Sequence, residues 1–153
     1  MCISKCQGIC SSSLKDTACD LKSSLQGEKN PMAQTELVTN ENKTLEKSLD
    51  LIKQENTFLK NRLSVVVDNK DSKEFIILAE YFQTQFILKD DFINELKQDI
   101  IALEKYIMEN SNNVDLANKI IKKQEKLRNE ISFFEKDFAT LKQDFNKSIT
   151  QFL

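Results

Sequence analysis

Cysteine, glycine, proline, histidine and tryptophan are all absent from residue 32 to the end of the chain. The chain has two glycines, one proline and four cysteines, and every one of them lies within residues 1–31. Glycine and proline are the residues that most often interrupt regular structure, so their absence elsewhere predicts a few long helices. We therefore divide the chain into a leader, residues 1–31, expected to be disordered or a spurious extension, and a helical body, residues 32–153.

The same absences remove most catalytic chemistry from the body. Without histidine or cysteine it has no imidazole base, no thiolate nucleophile and no thiolate metal site. Without glycine it has no loop whose backbone approaches a phosphate closely. Carboxylates are common, but on long helices we expect them to lie in water beside lysines rather than in a cleft that shifts their pKa values. We expect no catalytic residue, no cofactor and no enzyme activity.

Charge and hydrophobicity favour a cytoplasmic location. The formal net charge is −2, and 30% of the residues are charged, with both signs interspersed. No apolar run reaches the roughly 18 residues of a membrane-spanning helix, and the N-terminus lacks the continuous apolar stretch of a secretory signal. The length of 153 residues allows one ordinary domain.

The four leader cysteines are weak candidates for a metal site. They follow the spacing C-x3-C-x3-C-x8-C and are Cys2, Cys6, Cys10 and Cys19. The spacing contains no C-x2-C pair, which zinc and iron–sulfur sites commonly use. Cysteines this close to the N-terminus would also suit acylation, which would make the protein a membrane-associated adaptor. Both alternatives stay open, and membrane contact is expected only if these cysteines are acylated.

Two polar interruptions divide the body into three helices. The segments DNKDS (68–72) and ENSNNVD (109–115) are rich in turn-forming residues. We therefore predict helices near 35–68, 72–109 and 114–152.

Capping signals accompany both interruptions. Asp71, followed three residues later by Glu74, resembles a capping box at the start of the second helix. At the start of the third helix, Asn113 or Asp115 is expected to be the cap.

Each helix carries an apolar stripe that alternates steps of three and four residues, the heptad pattern of a coiled coil. The stripe residues are Val38, Asn42, Leu45, Leu49, Ile52, Asn56, Leu59, Leu63 and Val66 in the first helix, Phe75, Ala79, Phe82, Phe86, Lys89, Ile93, Leu96, Ile100, Leu103 and Ile107 in the second, and Ala117, Ile120, Gln124, Leu127, Ile131, Phe134, Phe138, Leu141, Phe145, Ser148 and Phe152 in the third.

The second and third stripes have matching phases for an antiparallel hairpin. Folding the chain back at the asparagine-rich turn places Leu103 opposite Ile120, and the match continues to Ala79 opposite Phe145. Two unrelated stripes would not have to agree in phase across the turn between them. At about 1.5 Å per residue, the hairpin would be about 55 Å long.

The first helix has two candidate partners. In a parallel zipper with another chain, Asn56 would lie at a buried seam position that specifies two strands, and Glu55 would face Lys60 of the other chain. Folded back within its own chain, the helix would instead place Leu59 opposite Phe82 and Ile52 opposite Lys89. In either arrangement, the residues expected to set its register or interface are Asn56, Leu45, Leu49, Ile52, Leu59 and Leu63.

Apolar residues outside the stripes favour the internal arrangement. The second helix has extra apolar side chains such as Ile77, Tyr81 and Leu88, and a helix this widely apolar normally has two neighbours or more. The predicted fold is all-α: an elongated antiparallel hairpin plus a third heptad helix, forming a three-helix bundle or coiled coil. Remaining apolar surface would drive self-association, so a dimer of bundles is plausible.

Binding to nucleic acid is not expected. A basic-region zipper needs a Lys- and Arg-rich helix directly before its first heptad, whereas residues 28–48 contain a proline, four acids and only three bases. A basic run lies at the start of the third helix, and we interpret it as a solvated face whose charges are balanced by acids on the second helix. The basic residues are Lys119, Lys122, Lys123, Lys126 and Arg128, and the acids are Glu95, Asp99, Glu104 and Glu109.

Polar residues and phenylalanines within the stripes each have a functional and a structural interpretation. Lys89 could be a desolvated reactive amine, but a lysine in an apolar seam more often extends its ammonium to the surface or fixes register, as Gln124 would also do. The phenylalanines of the second and third helices could line a ligand pocket, but they are expected to fill the core. The sequence thus predicts a non-catalytic structural, scaffold or tethering protein, with another copy or another helical protein as its partner.

Overall fold

The computed structural model describes residues 31–152, which form three long helices. Helix α1 spans Pro31–Val67, α2 spans Lys73–Glu109 and α3 spans Ala117–Thr150, with a short 3-10 turn, Val114–Leu116, before α3. These helices confirm the predicted all-α fold. The leader cysteines, and every prediction that rests on them, lie outside the described residues. Pro31, which the sequence assigns to the leader, is the first residue of α1, a position where its fixed φ and missing N–H are well tolerated.

The cap of α2 differs from the prediction. Ser72, not Asp71, is the N-cap: its backbone is extended (φ −69°, ψ 135°), and its hydroxyl oxygen accepts a hydrogen bond from the backbone N–H of Phe75 at 3.0 Å. The N-cap is the residue whose side-chain oxygen accepts a hydrogen bond from the backbone N–H three residues later. Because Ser72 occupies this position, Asp71 lies outside the helix. At the second turn, the side-chain oxygen of Asn113 accepts from the N–H of Asp115 at 3.0 Å, so Asn113 caps the 3-10 turn.

Contacts between the helices establish their directions. From Glu41 to Glu55 along α1, the partners on α3 advance from Arg128 to Lys142, so α1 and α3 are parallel. Helix α2 runs against both, since residue numbers on α2 fall as those on its neighbours rise. Examples are the contacts Asp50 with Lys97, Lys60 with Asp90, Phe92 with Phe134 and Phe75 with Phe152. The molecule is an up-down-up bundle of three helices.

The stripes of all three helices meet in one elongated core. Around the turn between α1 and α2, the buried side chains are Leu59, Leu63, Val66, Phe75, Ala79, Phe82, Phe86, Phe138, Leu141, Phe145 and Ile149. Towards the turn between α2 and α3 they are Leu49, Ile93, Leu96, Ile100, Leu103, Ile107, Leu127, Ile131 and Phe134. Burial of these apolar side chains is the main source of stability of the bundle.

Two details of the third stripe go beyond the prediction. Phe145 packs edge-on against Phe82 and Phe86, with ring centroids 5.2 and 5.0 Å apart, in the same buried cluster as its predicted neighbour Ala79. Side chains on a helix lean towards its N-terminus, so on antiparallel helices opposing rings are displaced towards each other by about a turn. Near the end of α3, Ile149 is buried in place of the predicted Ser148. An α-helix drifts relative to a 3.5-residue repeat, and here the drift brings an apolar residue into the core.

Among residues 31–152, no helix has an apolar stretch long enough to cross a bilayer.

Candidate functional site

A polar cluster at the middle of the bundle joins α1 to α2. The buried side chain of Asn56 donates from Nδ2 to the backbone carbonyl oxygen of Phe86 and to Asp90 Oδ1, both at 2.8 Å. The ammonium of Lys60 pairs with the other carboxylate oxygen of Asp90. The cluster therefore holds α1 against its own α2, in the predicted internal register.

In the zipper alternative, Glu55 of one chain was expected to face Lys60 of another chain. In the structure, Lys60 is paired with Asp90 and Glu55 is paired with Lys142 of α3. The hydrophobic residues named for the α1 interface also face inward: Leu49, Leu59 and Leu63 are buried, and Leu45 and Ile52 are partly buried against the core. The seam of α1 is therefore filled within the chain.

A ladder of polar contacts that sequence reasoning missed joins the parallel helices α1 and α3. The contacts of Glu41, Ser48 and Glu55 advance by seven residues on both helices, and the last contact, made by Arg62, advances by four on α3. The two oxygens of Glu41 accept from Nε and Nη2 of Arg128 at 2.5 and 2.9 Å. The further contacts are Ser48 to Glu135 at 2.7 Å, Glu55 with Lys142, and Arg62 Nη1 to Asn146 Oδ1 at 2.7 Å. The sequence signal was the seven-residue spacing of Glu41, Ser48, Glu55 and Arg62 beside the apolar stripe.

The first step of the ladder shifts two pKa values. Hydrogen bonds from Arg128, and less strongly from the side-chain amide of Gln124, lower the pKa of the Glu41 carboxyl although partial burial opposes the shift. The same carboxylate raises the pKa of the Arg128 guanidinium. Gln124 donates from Nε2 to Glu41 Oε1 at 2.8 Å, while its own side-chain oxygen is buried without a partner among the described residues. Gln124 thus lies in the seam as a donor to the ladder.

Asn42 differs from the other buried amides. Its side chain is fully buried, and within residues 31–152 neither its nitrogen nor its oxygen has a hydrogen-bond partner. By register it lies at the level of Gln124, whereas Asn56, two heptads along α1, makes two hydrogen bonds. Among the described residues, Asn42 therefore leaves two buried polar atoms unpaired, whereas Asn56 and Gln124 each leave only the side-chain oxygen unpaired. Burial costs the most free energy at Asn42.

Lys89 and the phenylalanines of the stripes have the structural roles that the sequence predicts, surface pairing for Lys89 and core filling for the phenylalanines. The Lys89 side chain is 15% exposed, and its ammonium pairs with Asp137 at the surface of α3. Its aliphatic part lines the seam while its charge remains outside. The core phenylalanines are all buried: Phe75, Phe82, Phe86, Phe134, Phe138 and Phe145.

The basic run of α3 finds partners other than the predicted acids of α2. Lys126 pairs with Glu130 of its own helix at 3.7 Å, and Arg128 with Glu41 of α1. Lys123 lies over the ring of Tyr106, 5.1 Å from the centroid, a cation–π contact. All five basic residues are exposed, as the predicted solvated face requires. Arg128 pairs with a carboxylate that the prediction did not consider, because α1 packs on the opposite side of α3.

The outward faces carry the remaining candidate sites. On α1, a row of apolar side chains repeats every seven residues, interrupted once by Thr44, and each member is 63–68% exposed. We call it the outer row: Leu37, Leu51, Phe58 and Val65. A second patch lies between α2 and α3, where Phe92 and Phe133, the latter 71% exposed, border an open depression of about 540 Å³.

In the described part of the chain, no group of three or more metal-ligating side chains comes together. Comparison with models of known protein families, with curated proteins and with solved structures found no match.

Proposed function

We propose that this chain is a non-catalytic cytoplasmic scaffold or tether that acts through helix–helix contacts with another helical protein or with copies of itself. The observation that carries the proposal is the outer row of α1. Its four members lie on the opposite side of the helix from the buried stripe, so the bundle's own packing does not need them.

The spacing of the outer row suits a helical partner. Side chains seven residues apart remain on one face of a helix in a heptad bundle, and they form a straight line along it. Amphipathic helices bind such lines through apolar side chains on successive turns. Large exposed apolar side chains that recur in register, rather than singly, mark interaction surfaces on soluble proteins.

Charged groups also support a structural role. The carboxylate and guanidinium with shifted pKa values, Glu41 and Arg128, form an ion pair between two helices at the bundle surface. Structural ion pairs shift pKa values in this way without an acid–base function. The buried polar cluster of Asn56 likewise serves to align helices.

In-cell photo-crosslinking tests the proposal. A benzophenone amino acid is placed at Phe58, on the outer row, and separately at Asn61, which is exposed on the same helix but outside the row. We expect discrete adducts of fixed mass from position 58, which mass spectrometry identifies as a helical protein or a second copy of the chain. Position 61 should give few adducts. An absence of discrete adducts at position 58, or equal patterns from both positions, would contradict the proposal.

A further inference from the structure

Heptad geometry places the outer row along one side of the seam between α1 and α3, and we call this seam and its two sides the groove. The ladder residues of both helices face each other at the floor of the groove, and each outer-row residue lies three or four positions from one of them, on the side away from the core. The corresponding positions of α3 lie along the other side. At seven-residue spacing they are Glu125, Ser132, Ala139 and Asn146, and Asn146 also accepts the ladder hydrogen bond from Arg62. The small side chains of Ser132 and Ala139 leave space for a second helix to approach.

The face that contains this groove is large enough for a stable dimer. From Leu37 to Val65 it extends about 42 Å at 1.5 Å per residue. Two parallel helices with axes about 8–10 Å apart make it about 20 Å wide. The product, about 800 Å², equals the area that each partner contributes to a standard protein–protein interface.

We propose that a second copy of this chain covers the groove, with its α1 antiparallel to the first α1 and the twofold axis passing Leu51 and Ala139. This inference deepens the proposed function, on which it rests, by naming the partner. The two residues lie at one level of the bundle, because the ladder contacts of Glu41, Ser48 and Glu55 with α3 share one offset, which Leu51 and Ala139 match to within one residue. Such an axis places α1 of one copy against α1 of the other, and α3 of one copy against α3 of the other.

Apolar residues match across the proposed axis. Leu51 meets Leu51 of the second copy, and Leu37 meets Val65. Thr44, the one polar interruption of the outer row, meets Phe58, so each aromatic ring faces a small side chain. On α3, Ala139 meets Ala139.

Charges at the floor of the groove also match. Glu41 comes opposite Arg62 of the second copy, and Glu135 opposite Lys142, each twice by symmetry. Within its own chain Arg62 donates to the neutral amide of Asn146 and has no carboxylate partner among the described residues. Opposite charges at these positions favour the antiparallel alignment, because oppositely charged groups attract across an interface whereas like charges that face each other cost free energy.

Sedimentation equilibrium of the purified full chain tests the association. We expect a dimer at micromolar concentrations, the weak end for an interface of this size. Phe58→Glu should raise the dimer Kd by about 100-fold or more, because both copies lose an aromatic side chain from the interface. Phe133→Glu is the matched control, since it changes a phenylalanine of similar exposure on another face and should leave the Kd unchanged. Circular dichroism checks that both variants keep the helical fold.

A wild-type chain that stays monomeric up to about 100 μM would overturn the inference, as would dissociation by Phe133→Glu instead of Phe58→Glu. The proposed function would survive a monomer if position 58 still crosslinks to a different protein in cells, so the two failures are distinguishable.

Cysteine crosslinking tests the antiparallel alignment. The experiment uses full chains in which the native Cys2, Cys6, Cys10 and Cys19 are replaced by serine. The dimer Kd of this background must match that of the wild type. A mixture of Leu37→Cys and Val65→Cys chains should form a disulfide heterodimer, because their Cα atoms come within disulfide range only across an antiparallel pair. Leu37→Cys alone should not crosslink. Crosslinking of Leu37→Cys to itself, without the heterodimer, would overturn the proposed axis.

Discussion

The side-chain nitrogen of Asn56 on α1 lies 2.8 Å from the backbone carbonyl oxygen of Phe86 on α2. The two residues belong to different helices and are both buried, so this hydrogen bond forms at only one axial offset of α1 against α2. A slip of one heptad would move the amide to the level of Ala79 or Ile93 and would separate it from Asp90. Apolar layers alone tolerate such a slip, whereas a buried amide opposes it.

Replacing Asn56 by alanine should therefore destabilise the bundle. Asn56→Ala removes both hydrogen bonds and leaves a void, and we expect the free energy of unfolding to fall by about 2 kcal/mol. Asn56→Leu fills the space with an apolar group and should change the free energy by less than about 1 kcal/mol. Urea unfolding followed by circular dichroism measures both, with the exposed Asn61→Ala as a control expected within about 0.5 kcal/mol. Equal effects of Asn56→Ala and Asn61→Ala would argue against a role in register.

The opposite result is expected for Asn42. Because neither polar atom of its buried side chain has a partner within the described residues, Asn42→Leu removes an uncompensated desolvation penalty. We expect the free energy of unfolding to rise by about 1–3 kcal/mol. The same urea experiment measures it. A loss of stability would mean that the amide has a partner, such as a buried water, that stabilises it.

Most of the fold follows from patterns that the sequence displays openly. The absence of glycine and proline and the two polar interruptions predict three helices whose ends lie close to those observed. The phase match across each turn predicts which faces meet, and Asn56 opposite Phe86 agrees with the predicted register, which places their neighbours Leu59 and Phe82 opposite each other. These features are predictable because they depend on helix periodicity and chain connectivity, which are local properties.

The ladder between α1 and α3 was not predicted, because it joins residues more than eighty positions apart that share no turn. Its members are ordinary surface residues such as Glu41 and Arg128, and only the closure of the third helix onto the first gives them partners. The cap at Ser72 was missed for a different reason. Asp71 and Ser72 are both good caps, and a shift of one residue decides between them.

The first step of the ladder makes stability depend on pH. The pKa of Glu41 is lowered from its ordinary value of 4.5, mainly by Arg128. A carboxyl whose pKa is lower in the folded state adds stability above its unfolded pKa, and this stability is lost as the pH falls through the folded value. The difference in unfolding free energy between wild type and Glu41→Gln should thus be largest above pH 4.5 and should shrink in more acidic buffer.

Thermal unfolding across a pH series measures this dependence. At neutral pH, Glu41→Gln should cost no more than about 1 kcal/mol, because the pair is partly exposed. Glu80→Gln is the control, since Glu80 is exposed on α2 and takes part in no ion pair within residues 31–152. A Glu41→Gln effect that stays constant down to strongly acidic pH would contradict the assigned cause.

The two phenylalanines Phe145 and Phe133, on the same helix, should respond very differently to truncation. Phe145 is fully buried and contacts the rings of Phe82 and Phe86 edge-on, whereas Phe133 is 71% exposed. Phe145→Ala should lower the free energy of unfolding by about 3–5 kcal/mol, because it removes apolar burial and leaves a cavity that rigid helices cannot close. Phe133→Ala should change it by about 0.5 kcal/mol or less. Urea unfolding at a fixed chain concentration compares the two variants. Comparable losses of unfolding free energy would show that Phe133 is buried in solution. The dimer contact would then lie on the face between α2 and α3 instead of the groove beside the outer row.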